Sequence, residues 1–176
     1  MGLKSLADGK TKVTILPTRP ANPKAITLAE LEAGIEASCA ILTSDYNVGA
    51  ATSESVDEKA LCQTGNASTW GAENGTIEFT LFLEFDDETK ELDLTSDAGK
   101  AFEAVKFKGT EIYLVQRENF KFSTDDWEAG DGYEYFHGIA DNPQHVDRTG
   151  YTKRKITAAF QEMELHGVVA TAPVGG

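Results

Sequence analysis

The chain has 176 residues, 40% of them hydrophobic, enough for one domain to bury a core without disulfide or metal staples. Its 29 acids against 16 bases give a formal charge of −13, which excludes a phosphate-neutralising nucleic-acid binder, because that work needs clustered Lys and Arg. No stretch approaches the roughly 20 apolar residues of a membrane helix, and no secretory pattern opens the chain, so the expectation is folding in a cytoplasm with Cys39 and Cys62 reduced.

In chain order, residues 1–26 carry Pro17, Pro20 and Pro23 around one apolar run, Val13 to Leu16. That spacing predicts an extended N-terminal arm with one edge strand. A β domain then runs over 27–171. Thr27-Leu-Ala-Glu30 is a capping-box pattern that opens a short helix, and Gly34 closes it. Ile35, Ala37, Cys39 and Ile41 alternate with Glu36 and Ser38, which predicts a two-faced strand over 35–42 with Cys39 in the core. Residues 43–74 are dominated by Ser, Thr, Asn, Gly, Asp and Glu, and read as one long projecting loop.

The strongest strand signal follows, Gly75 to Phe85. Ile77, Phe79, Leu81, Leu83 and Phe85 fall on one side, with Thr76, Glu78, Thr80 and Glu84 on the other. Ser96 to Lys108 is the best helix, with Ala98, Ala101, Phe102 and Val105 on one face, Ser96 as N-cap and Gly109 as the stop. Strands are expected at Glu111 to Arg117, buried on both faces, at Tyr133 to Ile139, at Tyr151 to Gln161, and at Met163 to Thr171. Residues 172–176 form a C-terminal tail. About seven strands and one good helix predict a mainly β fold, a sandwich or barrel with one flanking α-helix.

No catalytic grammar accompanies these strands. Asp86-Asp87, Asp125-Asp126 and Asp131 lack the spacing of a calcium loop, and His137, His145 and His166 lie in three separate segments without metal-ligand spacing. No Gly-x-Ser-x-Gly elbow or glycine-rich phosphate cradle is present. The expectation is therefore no enzyme, no metal and no cofactor. Trp70 and Trp127 lie in polar, glycine-containing loops and admit a sugar-binding platform, or anchors for loops and subunit contacts. The acids crowd between Glu84 and Glu134, 15 against 6 bases, a surface that would repel nucleic acid.

An ordered series of segments carries a resemblance. It comprises Leu28-Ala-Glu-Leu-Glu-Ala-Gly-Ile35, Ser38-Cys-Ala-Ile-Leu-Thr-Ser-Asp-Tyr46 and Ser55-Val-Asp-Glu-Lys-Ala-Leu-Cys62, then the 76–85 strand, Gly109-Thr-Glu-Ile-Tyr-Leu-Val-Gln-Arg117, and Asp141-Asn-Pro-Gln144 with Asp147-Arg-Thr-Gly-Tyr151. Over residues 27 to 161 the chain resembles the major tail, or tail tube, proteins of long-tailed bacteriophages, notably those of actinobacterial hosts. The resemblance implies a virion structural protein, assembled in the host cytoplasm, whose six-fold rings stack into a tube for DNA passage. It implies as partners other copies of the chain, a tape-measure protein, terminator and tail-tip proteins, and DNA held non-specifically. It makes Glu36, Glu78, Thr80 and Glu84 candidates for the channel lining. It makes Asp45, Tyr46, Asn47, Glu54, Asp57 and Glu58 candidates for a ring-stacking loop. The competing readings are a carbohydrate-binding β-sandwich using Trp70 and Trp127, and a type VI secretion tube protein, which shares the fold.

Overall fold

The computed structural model describes residues 4–65 and 68–171. In chain order the elements are β1 (Thr11–Leu16), α1 (Leu28–Glu32), β2 (Ile35–Glu36), β3 (Asn47–Ala51), β4 (Ser55–Val56), β5 (Thr69–Trp70), β6 (Asn74–Phe82), α2 (Asp97–Val105), β7 (Glu111–Glu118), β8 (Gly132–Ala140), β9 (Gln144–His145) and β10 (Lys153–Val168). One antiparallel sheet runs β2-β1-β7-β8-β10-β6-β3, with β9 added beside β10, while β4 and β5 pair with each other apart from it.

The long strand β10 bends this sheet. Its first part pairs with β6 (Arg154↔Leu81, Ile156↔Phe79) and its second with β8 (Met163↔Phe136, Val168↔Gly132). Ala158 sits at the handover, opposite both Ile77 and Ala140. Register shifts between Phe160 and Glu162, and again between Glu164 and Gly167, mark bulges, which bend a strand and increase its twist. Close approach at the bend demands glycine: a Cβ on Gly138 would stand 2.7 Å from the Ile77 side chain and 2.9 Å from the Ala158 Cβ. The segment between β2 and β3 then crosses from the β1 edge to the β6 edge. Ala37 N–H donates to the Val13 carbonyl, and Leu42 N–H donates to the Thr80 carbonyl. Rolled in this way, the sheet encloses a core in the manner of a barrel.

Burial follows the period-two pattern. Ile112 and Leu114 of β7 point inward with Val13, Ile15, Phe79, Phe136 and Ile156, and α2 adds Ala98, Ala101 and Val105 to the same cluster. Tyr113 and Val115 point outward, into a second cluster with Leu16, Ile26, Leu31, Trp127, Tyr133, Tyr135 and Val169. β7 is thus buried on both faces, as its sequence predicts. The capping box also forms: Glu30 N–H donates to Thr27 Oγ1 at 3.3 Å and Thr27 N–H to Glu30 Oε2 at 2.8 Å. Ser96 caps α2 by accepting from Gly99 N–H, and Gly109 (φ +88°) ends the segment that follows.

Several expectations fail, each for a local reason. The strand foreseen over 35–42 is only β2, followed by two 3₁₀ turns, Ser38–Ala40 and Thr43–Asp45. Ser38 N–H donates to the Glu36 carboxylate, so a side chain takes up a donor the ladder would have used, and Cys39 is exposed instead of core. β1 is no edge strand, since β2 and β7 flank it. The proline-bearing stretch after it lies against its own subunit: Ile26 is fully buried, its N–H donates to Tyr133 Oη, and that hydroxyl donates to the Pro23 carbonyl. Residues 43–74 hold three strands, of which β3 belongs to the main sheet. The strands expected at 151–161 and 163–171 are one strand, because the bulge shifts the alternation that was read as a break. The tail at 172–176 lies outside the described residues.

A buried charge organises the loop after β7. Arg117 is fully buried and donates to the carbonyls of Phe122, Asp125 and Asp126 and to Asp131 Oδ2 at 3.0 Å, with its guanidinium 5.1 Å from the Trp127 ring. Burial of Asp131 works to raise its pKa, but hydrogen bonds from Lys121 and the Glu128 N–H, with the Arg117 charge, hold it below the ordinary carboxylate value. We predict that Arg117→Met, which takes the donor from three loop carbonyls and one of two cations from Asp131, costs about 3–5 kcal/mol in urea unfolding. A depressed carboxylate contributes stability above its unfolded pKa of about 3.9 and loses it as pH falls through the folded value. Asp131→Asn should therefore show a shallower loss of stability on acidification below about pH 4 than the parent chain.

Candidate functional site

Residues directly opposite in an antiparallel ladder share a face. Val48, Ile77 and Ala158 form a row that turns into the core. The next row, Asn47, Glu78 and Thr157, turns to solvent, and Ala159, Ile139 and Glu111 continue that face across β8 to β7. All six are exposed or half-buried. Neither α1 nor α2 belongs to this side: α2 packs on the inner cluster and α1 joins the Trp127 cluster. The result is an open, mostly polar sheet face. Its charges are partly paired, since Lys155 Nζ stands 3.3 Å from Glu78 Oε2, and Lys108 reaches Asp141 at 3.4 Å on its border.

The four candidate lining residues do not come together. Glu78 lies on the open face. Thr80 is fully buried, its hydroxyl donating to Asp45 Oδ2 at 3.0 Å beneath the 3₁₀ turn, so it presents nothing to solvent in the subunit. Glu84 is exposed beyond the end of β6, in a turn where its carbonyl accepts from Asp93 N–H. Glu36 sits on β2, at the other end of the strand order, bound to Lys12 at 2.5 Å and to Ser38.

The six loop candidates divide into two groups. Asp45, Tyr46 and Asn47 belong to the barrel wall. Tyr46 Oη donates to Gln116, which also donates to the Glu134 carboxylate, and burial followed by the Glu118 and Glu134 charges pushes the Tyr46 pKa upward. Glu54, Asp57 and Glu58 lie on a separate exposed hairpin built by β4 and β5, braced by Gly71 N–H to the Glu54 carbonyl at 2.6 Å. This hairpin displays Val56, Leu61 and Trp70, the last 70% exposed.

The two tryptophans cannot share a platform. Trp127 is 7% exposed, and its indole N–H donates to Thr14 Oγ1 at 2.9 Å in the outer core. The acids considered for chemistry serve turns: Asp86 accepts from the N–H groups of Glu88 and Thr89, Asp125 accepts from Phe122 N–H, and Asp131 holds Arg117. Among the described residues no group of three His, Cys, Asp or Glu is arranged to hold a metal ion. Sequence reasoning missed Lys155 as the partner of Glu78 and Gln116 as the partner of Tyr46. Both pairings depend on strand register, which no local pattern reveals.

An open polar sheet face and an exposed hairpin bearing Val56, Leu61 and Trp70 are surfaces of the kind through which a chain meets partners. The model of the family described as phage tail tube protein matches residues 1–173, and the chain belongs to that family. It is accordingly a structural component of the virion tail, from a family that self-assembles and works with other tail components. No curated protein sequence matches the chain.

The division between wall and hairpin is measurable. Trp127→Ala should destabilise the subunit by about 3–5 kcal/mol in urea unfolding, as expected for a large aromatic lost from a core. Trp70→Ala should stay within about 0.5 kcal/mol of the parent, as expected at an exposed position.

Proposed function

We propose that subunits join as six-fold rings that stack into the tail tube, and that the open β3–β6–β10 face is turned to a channel through which DNA passes. The observation that carries this reading is the row Asn47–Glu78–Thr157, a solvent-facing stripe left bare while the chain's own arm, α1 and the Trp127 loop cover the β1–β7 side. Membership of the tail tube family supports the tube itself. Partners are other copies, a tape-measure protein, terminator and tail-tip proteins, and DNA without sequence preference, with assembly in the host cytoplasm.

The chemistry of the face suits passage without adhesion. Glu78 is paired with Lys155 across the strands, so this part of the wall is polar with its carboxylate locally compensated. A wall of this kind offers phosphates no uncompensated cation at Lys155, and residual repulsion fades beyond roughly 8 Å at physiological salt. Glu78 therefore matters as the group that occupies Lys155. Thr80 drops out of the lining, and Glu84 stands at the strand's end.

Negative-stain microscopy of the purified protein, alone and with tail-tip proteins, should reveal rings or tubes, and persistent monomers under both conditions would contradict the reading. In phage carrying Glu78→Lys, tubes should still form. The freed Lys155 and the new lysine should attract phosphates and slow genome ejection. Unchanged ejection kinetics would contradict the assignment of this face to the channel.

A further inference from the structure

Positive charge collects at one place in the subunit. At the end of the β6–β10 pair where Phe82 faces Lys153, the stretch from Gln144 to Lys155 carries Arg148, Lys153, Arg154 and Lys155 against one acid, Asp147. In a chain of formal charge −13 this basic rim stands out. β9, the turn after it and the start of β10 frame a cavity of about 180 Å³ there, walled by His145, Arg148, Tyr151 and Arg154. Pockets for drug-sized ligands run to roughly 300–1,000 Å³, whereas the four oxygens of an oxyanion take the room of about four waters, roughly 120 Å³. The cavity has the size for one such ion and little more.

The loop's own bonds use up two of the cations and the acid. Lys153 Nζ donates to the Thr149 carbonyl at 3.0 Å and stands 3.2 Å from Asp147 Oδ1, which also accepts from the N–H and the hydroxyl of Thr149. Lys155 is paired with Glu78. Among the described residues Arg148 and Arg154 are in no ion pair, and Arg154 uses one donor, on the Lys153 carbonyl at 2.9 Å. The neighbouring turn holds acids, but Asp86, Asp87 and Asp93 serve their own turn's donors, and Glu84, Glu88 and Glu91 pair with neither arginine. His145 and Arg154 are direct partners in the β9–β10 ladder, where like charges repel. The Arg154 charge first, then burial and the Arg148 charge, hold the His145 pKa below its ordinary value.

We propose that this cavity binds a single phosphate group, taken by the guanidinium groups of Arg148 and Arg154 with the His145 imidazole as a third donor. A guanidinium presents a planar fork that meets phosphate oxygens two at a time, so two of them suit this ion better than any neutral ligand. A phosphate here also relieves the opposition of His145 and Arg154, which no carboxylate of the described subunit does. The group comes from one of two sources, inorganic phosphate or the backbone of DNA. The second source rests on the channel reading above, because the rim ends the strands that carry Glu78 and Thr157. The pocket itself is complete within one subunit.

The test follows the His145 imidazole of the full-length protein by NMR while inorganic phosphate replaces chloride at constant ionic strength. The shift should saturate, and the His145 pKa should rise, because a neighbouring anion favours the charged imidazole. Arg148→Gln removes one fork at an exposed position, where the fold tolerates change, and should weaken binding at least about tenfold. A short DNA duplex added to phosphate-free protein identifies the source. The same saturation with the duplex assigns a backbone phosphate, and saturation with inorganic phosphate alone assigns the free ion; both support the site. A linear drift with the His145 pKa unmoved, or saturation that Arg148→Gln leaves unchanged, would overturn the site and leave the tube reading standing. A chain that never forms rings would contradict the tube reading without altering the phosphate result.

Discussion

The fold depends on one strand that changes partners. β10 gives its first residues to β6 and its last to β8, with Ala158 opposed on both sides. The two ladders use opposite edges of β10 and are staggered along it, and bulges near Gln161 and at Leu165–His166 bend the strand so that the sheet rolls. Rolling places Ile77, Phe79, Ile156 and Phe136 around a shared interior, to which α2 is a plug. Everything functional inherits this geometry. The face opposite that interior is left to solvent along β3, β6 and β10, and the hairpin and the basic rim lie at the two ends of the same strands.

Two kinds of polar burial hold the remainder in place. Arg117 directs its two terminal NH2 groups to three loop carbonyls and Asp131, fixing residues 119–131 as a lid over the outer core. Tyr46 and Gln116 join the β3 approach to β7 across the inner side, which ties the start of the former loop segment to the wall. Buried ion pairs are poor contributors to net stability but costly to break, so the Arg117 hub specifies one loop conformation more than it strengthens the whole. A fixed lid matters for a subunit that must present identical surfaces in every copy.

Much of the fold was legible in residues. The capping box at Thr27–Glu30, the Ser96 cap, the two-faced run of β6 and the double burial of β7 all follow from local chemistry. What escaped was non-local. Cys39 reads as core by alternation, yet Ser38 and Glu36 divert the backbone into a 3₁₀ turn. Thr80 reads as a solvent-facing position by the same alternation, yet the turn at Asp45 folds over it. The single strand β10 reads as two because a bulge shifts the period. For the candidate surface, Glu78 was legible as an outward carboxylate, but its neutralisation by Lys155 lies across a ladder whose register only the folded chain displays.

The central claim concerns which way the sheet faces in the assembled tail, and a helical cryo-EM reconstruction of the tube measures that directly. The account predicts Asn47, Glu78 and Thr157 on the channel wall, repeated six times per ring, with α1 and the Trp127 loop on the outside. A reconstruction that places the Glu78 row on the outer surface, or buries it between neighbouring subunits, would contradict it.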